Sequence, residues 1–195
     1  KIAADKSWRV RWSLASKMDE VAGCFSSTTP DHYLNEKEII NSVRELFENL
    51  LVDTEAEVRT AAASNFSAVC SLIDKAAVAS RMLDCASRLA QDSSEHVRGA
   101  LGAVINDVAQ IIGRHNTVEL LLPILLILLR DTCPDVRLNV ISNLETINTV
   151  IGIELLSQSL LPAIVNLAED PNWRIRMSIM EQVPSLSKQL GQAFF

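Results

Sequence analysis

Few side chains in this sequence have the type and spacing that catalysis or metal binding requires. The chain has 3 His and 4 Cys, and no Cys-x-x-Cys pair occurs. Gly-rich phosphate loops, Gly-x-Ser-x-Gly and His-Glu-x-x-His are all absent from the sequence. We therefore expect no enzymatic activity, no cofactor and no metal site. The residues concerned are His32, His96, His115, Cys24, Cys70, Cys85 and Cys133.

These residues have simpler explanations. His96 falls in a turn and His115 at a helix start, so both are expected at the surface. Cys70 and Cys85 fall in apolar helical stretches, which predicts reduced thiols in the core.

Composition excludes several classes of protein. The 195 residues are 48% hydrophobic, which is enough for a sizeable core, and the formal charge of −6 is unfavourable for general nucleic-acid binding. The most apolar run, Leu120 to Leu129, is shorter than the roughly 17–25 residues of a membrane span and contains Pro123. We expect it to be a buried core helix, with no membrane span. The first residues lack the apolar region of a secretory signal. The expected location is cytoplasmic, and a nuclear pool remains open.

The elements that position any functional residue are defined by an internal repeat. The pattern Asp-x-x-x-x-Val/Ile-Arg occurs five times, with the Asp residues 48, 39, 39 and 39 positions apart. A glycine lies 21 residues after the last three of these Asp residues, at Gly113, Gly152 and Gly191, as expected of helix C-caps. Each unit therefore comprises two helices joined by a turn that the Asp opens. This predicts an all-α fold, an α-α superhelix of antiparallel helix pairs.

The repeat phase predicts the boundaries of the units. Residues 1–26 form the second helix of one repeat, and full repeats cover about 36–74, 75–113, 114–152 and 153–191. In the second repeat, Val58, Ala62, Phe66, Val69 and Ile73 make one apolar helical stripe. Nine extra residues between the first two units are expected in an inter-repeat loop, 24–38. The chain is interpreted as a fragment of a longer array. The predicted helices are 8–24, 36–52, 55–73, 76–91, 94–112, 116–130, 135–151, 154–169 and 172–190.

This helix pair resembles the HEAT repeat. Stretches such as "DKSWRVR", "EAEVRTAAAS", "QLGQAFF" and the run from Cys133 to Arg176 look like the scaffolding A subunit of protein phosphatase 2A, roughly its seventh to eleventh repeats. The resemblance covers nearly the whole chain, and the loop 24–38 departs from it. It implies an inert horseshoe whose turns bind a regulatory B-type subunit on one side and the phosphatase catalytic subunit on the other.

The five intra-repeat turns, residues 5–9, 53–57, 92–96, 131–135 and 170–174, are the candidate binding surface. The middle three are acidic, whereas both outer turns carry Trp-Arg, two residue types common in interface hot spots. The outer turns should lie about 40 Å apart, which suits two partners. The resemblance assigns Trp8-Arg9 to the regulatory side and Trp173-Arg174 to the catalytic side. The predicted partner-binding residues are Lys6, Ser7, Trp8, Arg9, Glu55, Glu57, Glu95, His96, Pro134, Asp135, Asn172, Trp173 and Arg174.

Each outer Trp could instead lie over its own helix pair. For Trp8 this alternative is as good as partner contact, since Trp12, one turn later, is expected in the core. For Trp173 we favour contact, mainly because of the resemblance. The acidic middle turns are equally well explained as a solvated surface.

The recurrent Asp and Arg residues are interpreted as structural. The Asp can cap the second helix, and the Arg six residues later can reach the Asp of the adjacent repeat, which would build a ladder along the stack. Its predicted members are Asp5, Arg11, Asp53, Arg59, Asp92, Arg98, Asp131, Arg137, Asp170 and Arg176.

Two function classes remain open. The first is a non-catalytic scaffold that binds the catalytic and regulatory subunits of a serine/threonine phosphatase. The alternative is an importin- or adaptin-type solenoid that binds transport cargo on its concave helix faces. The location of exposed Trp side chains distinguishes the two, and Trp in the turns favours the scaffold.

Overall fold

The protein folds as a stack of helix pairs. The computed structural model describes residues 2–26, 36–152, 158 and 160–190, and all of its regular elements there are helical. The α-helices are α1 (Trp8–Ala15), α2 (Met18–Ser26), α3 (Glu36–Leu51), α4 (Ala56–Ser64), α5 (Phe66–Cys70), α6 (Lys75–Ala77), α7 (Leu83–Leu89), α8 (Glu95–Val104), α9 (Val108–Asn116), α10 (Leu122–Leu129), α11 (Pro134–Ile141), α12 (Leu144–Ile151), α13 (Leu161–Ala168) and α14 (Trp173–Leu190). Short 3₁₀ turns lie at Ile2–Ala4 and Ile105–Asp107, and π-helical turns at Val78–Met82 and Thr117–Leu121.

The helices form two layers of an α-α superhelix. The first helices of the repeats are α3, α6–α7, α10 and α13, and the second helices are α1–α2, α4–α5, α8–α9, α11–α12 and α14. One continuous apolar core runs between the layers. The stripe predicted in the second repeat is buried at all five positions, which confirms the helical phase of that prediction.

Four of the five second helices are interrupted, in contrast to the prediction, whereas α14 runs without a break from Trp173 to Leu190, close to the predicted 172–190. α1 and α2 are separated at Ser16 and Lys17, α4 and α5 at Asn65, and α11 and α12 at Ser142 and Asn143. In the third repeat, the 3₁₀ turn Ile105–Asp107 makes the equivalent break. Each break frees backbone carbonyls in a partly buried layer, and such groups need a hydrogen-bond donor.

Asparagine side chains supply several of these donors. Asn65 Nδ2 donates to the carbonyl of Ala15 at 2.9 Å, and Asn143 Nδ2 donates to that of Ala103 at 3.0 Å. The fully buried Asn106 donates to Val140 O at 2.9 Å. These bonds join second helices of adjacent repeats. They therefore fix the spacing of the stack and also supply donors to the carbonyls that the breaks leave free.

Two of the predicted C-cap glycines lie where expected. Gly113 and Gly152 have φ values of +80° and +81°, in a region that residues with a Cβ rarely adopt, which confirms both predictions. Gly191 lies outside the described residues. The loop 24–38 is described only at its edges, because residues 27–35 are likewise outside.

One helical run has the length and apolar composition of a membrane span. It extends over Glu95–Leu129 in the described part of the chain, and 39% of its most apolar window is buried. The positive φ of Gly113 divides this run into the second helix of one repeat and the first helix of the next. Six of the ten residues from 120 to 129 are buried, as predicted for a core helix, whereas Leu120 and Ile127 are each 40% exposed.

Candidate functional site

Each intra-repeat turn is closed by the carboxylate of its Asp. Asp5 Oδ1 accepts from the backbone N–H of Ser7 at 2.8 Å, and the other four Asp residues accept from the N–H two positions later at 2.8–2.9 Å. That position precedes the second helix, so the bond shapes the turn. The prediction that the Asp caps N–H groups of the helix itself is wrong, because the carboxylate reaches only the residue at the helix boundary.

Four of these carboxylates, those of Asp53, Asp92, Asp131 and Asp170, also pair with an arginine from the preceding repeat. The guanidinium groups of Arg11, Arg59 and Arg98 each donate two hydrogen bonds to the next Asp, at 2.6–3.0 Å. Arg137 and Asp170 form the fourth pair, with Nη2 at 3.0 Å from Oδ2. Planar two-bond pairing of this kind is geometrically specific. The three two-bond pairs are Arg11–Asp53, Arg59–Asp92 and Arg98–Asp131.

Each arginine also binds its own turn. Arg98 Nη1 donates to the backbone carbonyl of Asp92 at 2.7 Å, and Arg11, Arg59 and Arg176 make the equivalent bond. One side chain therefore holds its own turn and the neighbouring carboxylate together. Arg176 donates to the carbonyls of Asp170 and Pro171, and its guanidinium has no ion pair within the described ranges.

The ladder lowers the pKa of three of its carboxyl groups, those of Asp53, Asp92 and Asp131. The hydrogen bond from Arg11 is the largest cause for Asp53. For Asp92 and Asp131, burial acts in the opposite direction and is the largest single influence. Hydrogen bonds from the arginine and the backbone together outweigh it, so the pKa is lowered in both. These carboxylates are therefore charged at neutral pH.

This shift predicts loss of stability in acid. The three Asp residues bind protons more weakly in the folded than in the unfolded chain, where the Asp pKa is about 3.9. The stabilisation is complete above that value and is lost as the pH falls through the lowered folded pKa. We expect the melting temperature, followed by circular dichroism, to fall between about pH 4 and pH 2. Asp131→Asn should reduce this dependence and the exposed Asp107→Asn should not. Identical pH profiles for Asp131→Asn and the wild type would contradict the assignment.

The predicted partner-binding residues lie outside the ladder, toward solvent. Arg9, Glu57, His96, Asp135 and Arg174 occupy equivalent positions in the five turns, and all are exposed. Across the last two turns, Arg174 and Asp135 form a loose, exposed ion pair at 3.9 Å, which adds little stability. The other exposed predicted residues are Lys6, Ser7, Glu55, Glu95 and Trp173, while Trp8, Pro134 and Asn172 are half-buried.

The three tryptophans occupy different environments. Trp8 is half-buried against the core, with the Arg9 guanidinium 4.8 Å from its ring centroid. Trp173 is 65% exposed, so it does not lie back over its own helix pair. Trp12 is 45% exposed, and the expectation that it belongs to the core is wrong. The equivalent position in the third repeat is Gly99, where an added Cβ would stand 3.5 Å from Asn139 and 3.8 Å from Val136 of the fourth repeat, so this position on the second helix faces the following repeat.

Trp12 instead forms one wall of a groove on the second-helix layer. The groove has a volume of about 550 Å³ and crosses α1, α4 and the start of α8. Small residues, among them Ala56, Thr60 and Ala61, line its middle, and Glu57 and His96 add the ionisable groups. This surface could not be predicted from the sequence, because the helical stripe around Trp12 does not reveal which inter-repeat positions remain open.

No cluster of metal-binding side chains is found among the residues that the structure describes. Cys70 and Cys85 are buried free thiols, and burial raises the pKa of both. His96 and His115 are exposed, and His32 lies outside the described residues.

Two family profiles match this chain. One, described as PPP2R1A-like HEAT repeat, covers residues 36–113, and the second, HEAT repeat, covers residues 121–151. The chain is a HEAT-repeat protein. The turns that Asp53, Asp92 and Asp131 close, and the kinked second helices that follow them, lie within the matched residues. The fold is one typical of non-catalytic, protein-binding scaffolds. No curated protein sequence matches the chain.

Solved structures share the HEAT-type superhelix. A crystal structure of Cex1p superposes with a TM-score of 0.78 at 17% identity, over 96% of this chain and 34% of that chain. A designed armadillo repeat protein in complex with the peptide (KR)4 superposes with a TM-score of 0.63 at 19% identity, over 95% of this chain and 79% of that chain. The TM-scores show a common fold, and at such low identities the likeness extends to the fold alone. The chain spans about a third of the length of Cex1p.

Proposed function

We propose that this HEAT-repeat chain belongs to a non-catalytic scaffold for a serine/threonine protein phosphatase. Its intra-repeat turns would bind the catalytic subunit at Trp173-Arg174 and a regulatory B-type subunit near Trp8-Arg9. The PPP2R1A-like match over residues 36–113 supports this family of partners. The observation that carries the choice of surface is Trp173, a large side chain that is 65% exposed in a turn.

The ladder gives such a scaffold its mechanism. Because four Arg–Asp pairs join successive turns, the exposed residues of one turn keep a defined distance from those of the next. Two partners bound to different turns would be held close together, which raises the effective concentration of one near the other. The chain would contribute geometry, and the chemistry would belong to the bound phosphatase.

Trp173→Ala should weaken binding of the phosphatase catalytic subunit by at least about tenfold, as expected for a hot-spot residue. Binding would be measured by biolayer interferometry with purified catalytic subunit. Met180→Ala is the matched control, since Met180 is also exposed on α14, two turns from Trp173. Equal affinities of wild type and Trp173→Ala, at an unchanged melting temperature, would show that Trp173 does not contact the catalytic subunit.

A second candidate function is binding of a cargo peptide on the second-helix layer. The exposure of Trp12 in a groove favours it, because the cargo-binding alternative expects exposed side chains on helix faces. Trp12→Ala distinguishes the two functions in the same experiment. The scaffold proposal expects Trp12→Ala to bind the phosphatase catalytic subunit as the wild type does. If Trp12→Ala loses this binding and Trp173→Ala retains it, the result would favour the helix-face function.

A further inference from the structure

A second groove lies on the opposite layer, between first helices of the third and fourth repeats. Its volume is about 820 Å³. Both walls present residues at i, i+3, i+4, i+7, i+8 and i+11, one beginning at Ala76 and the other at Asn116. Two helices thus run side by side and leave a channel of about 17 Å along their axes, the length of three helical turns.

The groove is apolar inside. Leu83 and Ile124 are buried at its base, while Leu120 and Ile127 stand along one wall with 40% of their surface exposed. Pro123 is also exposed between them. Large apolar side chains grouped at the surface of a water-soluble fold are typical of binding sites.

The charges that line the groove have one sign. Asp84 stands on one wall and Glu119 on the other, and both are exposed. No Lys or Arg is among the lining residues that the structure describes. The whole chain carries a formal charge of −6, so the surrounding field also favours a cation.

Both walls share an irregular backbone at the same level. The π-helical turns Val78–Met82 and Thr117–Leu121 occupy corresponding places in the two repeats, and each contributes residues to the groove. Single π turns inside α-helices frequently occur at functional sites. The buried hydroxyl of Thr117 donates to Gly113 O at 2.9 Å and helps to anchor one of them.

We propose that this first-helix groove binds an amphipathic helix of a partner protein, with an apolar face flanked by Lys or Arg. Apolar side chains of the partner would pack on Leu120, Ile124 and Ile127, and its basic residues would lie near Asp84 and Glu119. Placing an amphipathic helix in an apolar groove is a common mode of recognition. This surface is distinct from the intra-repeat turns, so the proposal stands independently of the phosphatase scaffold.

The test uses a fluorescein-labelled amphipathic peptide of Leu and Lys, about four turns long. Fluorescence anisotropy should show that it binds the purified protein, and that a peptide with Glu in place of Lys does not. A photo-crosslinker on its apolar face should label the tryptic fragments 76–81, 82–88 or 115–130, which together carry both walls of the groove. Absence of binding, or labelling confined to other segments, would overturn the proposal.

Substitutions in the groove test whether the peptide binds there. Ile127→Lys and the double change Asp84→Lys with Glu119→Lys should each weaken binding of the Leu/Lys peptide about tenfold. The matched controls are Val165→Lys, an exposed apolar residue on α13, and Asp135→Lys, an exposed acid in a turn; both should retain wild-type affinity. Equal losses in groove and control variants would show nonspecific attraction and overturn the proposal.

Other occupants give different results. If a second copy of the chain covers the groove, light scattering will show a dimer that Ile127→Lys converts to a monomer. If a lipid surface does, the protein will sediment with phosphatidylcholine–phosphatidylserine vesicles, and Ile127→Lys will abolish this. Either result would overturn the assignment to a partner helix.

Discussion

Replacing Arg98 with alanine is expected to destabilise the junction between the third and fourth repeats by about 3 kcal/mol. Arg98 donates two hydrogen bonds to Asp131 and another to the backbone of its own turn. Its side chain is 14% exposed and that of Asp131 only 6%, so water cannot readily replace the lost partner. The Asp131 carboxylate would still accept the hydrogen bond from the Cys133 N–H, but it would remain charged in a largely buried position.

Thermal denaturation followed by circular dichroism measures this effect. For a chain of this length the melting temperature should fall by about 6–12 °C. Hydrogen exchange should increase first in the turns 92–96 and 131–135, because each repeat contacts only its neighbours. Arg88→Ala removes an exposed arginine of the same repeat and is the control, with an expected change below about 0.5 kcal/mol.

Partner binding separates the structural role of Arg98 from direct contact. If the ladder is structural, Arg98→Ala should lower stability without selective loss of one partner. Selective loss of one partner at an unchanged melting temperature would contradict the ladder and place Arg98 in a binding surface. Arg98→Lys should recover only part of the stability, since an ammonium group cannot make the two-bond pair.

The turns were largely predictable from the sequence, because their chemistry repeats at a fixed period. An Asp that shapes a turn and an Arg six residues later must recur in every unit if successive turns are to be joined. The spacing therefore indicates the partners of the ladder, and the structure shows that each Arg pairs with the Asp of the following repeat. The hydrogen bond that the Ser7 N–H donates to Asp5, outside the helix, was harder to predict from the sequence. A helix cap and a turn both require the same residue type.

The breaks in the second helices could not be read from hydrophobic periodicity. An apolar stripe continues through a kink with little change of phase, so Val58 to Ile73 predicts one helix as well as two. A usable signal was present in asparagines such as Asn65, Asn106 and Asn143, which stand within otherwise apolar helices. Their amides satisfy carbonyls that the breaks release.

The two grooves were missed for a related reason. Trp12 and Leu120 belong to patterns that indicate burial, but both lie where adjacent repeats meet. Whether such a position is covered depends on the curvature of the stack and on the size of the neighbouring side chain. Gly102 illustrates the opposite outcome, because a Cβ there would stand 3.1 Å from Val140 and the helices approach closely.

Phe66→Ala is expected to have the largest effect on the free energy of unfolding, a loss of about 3–5 kcal/mol. Phe66 is fully buried at the start of α5, directly after the break at Asn65, and its ring centroid lies 6.3 Å from that of Phe47 on α3. Truncation removes this contact between the two layers and leaves a cavity where the kinked helix cannot collapse inward. Phe66→Leu keeps most of the apolar volume and should cost about 1–2 kcal/mol.

Urea unfolding of the single and double variants shows how the stack distributes this loss. Phe66 packs on Phe47 within the second repeat, whereas the Arg98–Asp131 pair joins the third repeat to the fourth. Their effects should add to within about 0.5 kcal/mol. A larger coupling would mean that a change in the packing of α5 reaches the Arg98–Asp131 pair through the third repeat, and the junctions of the stack would then not act independently.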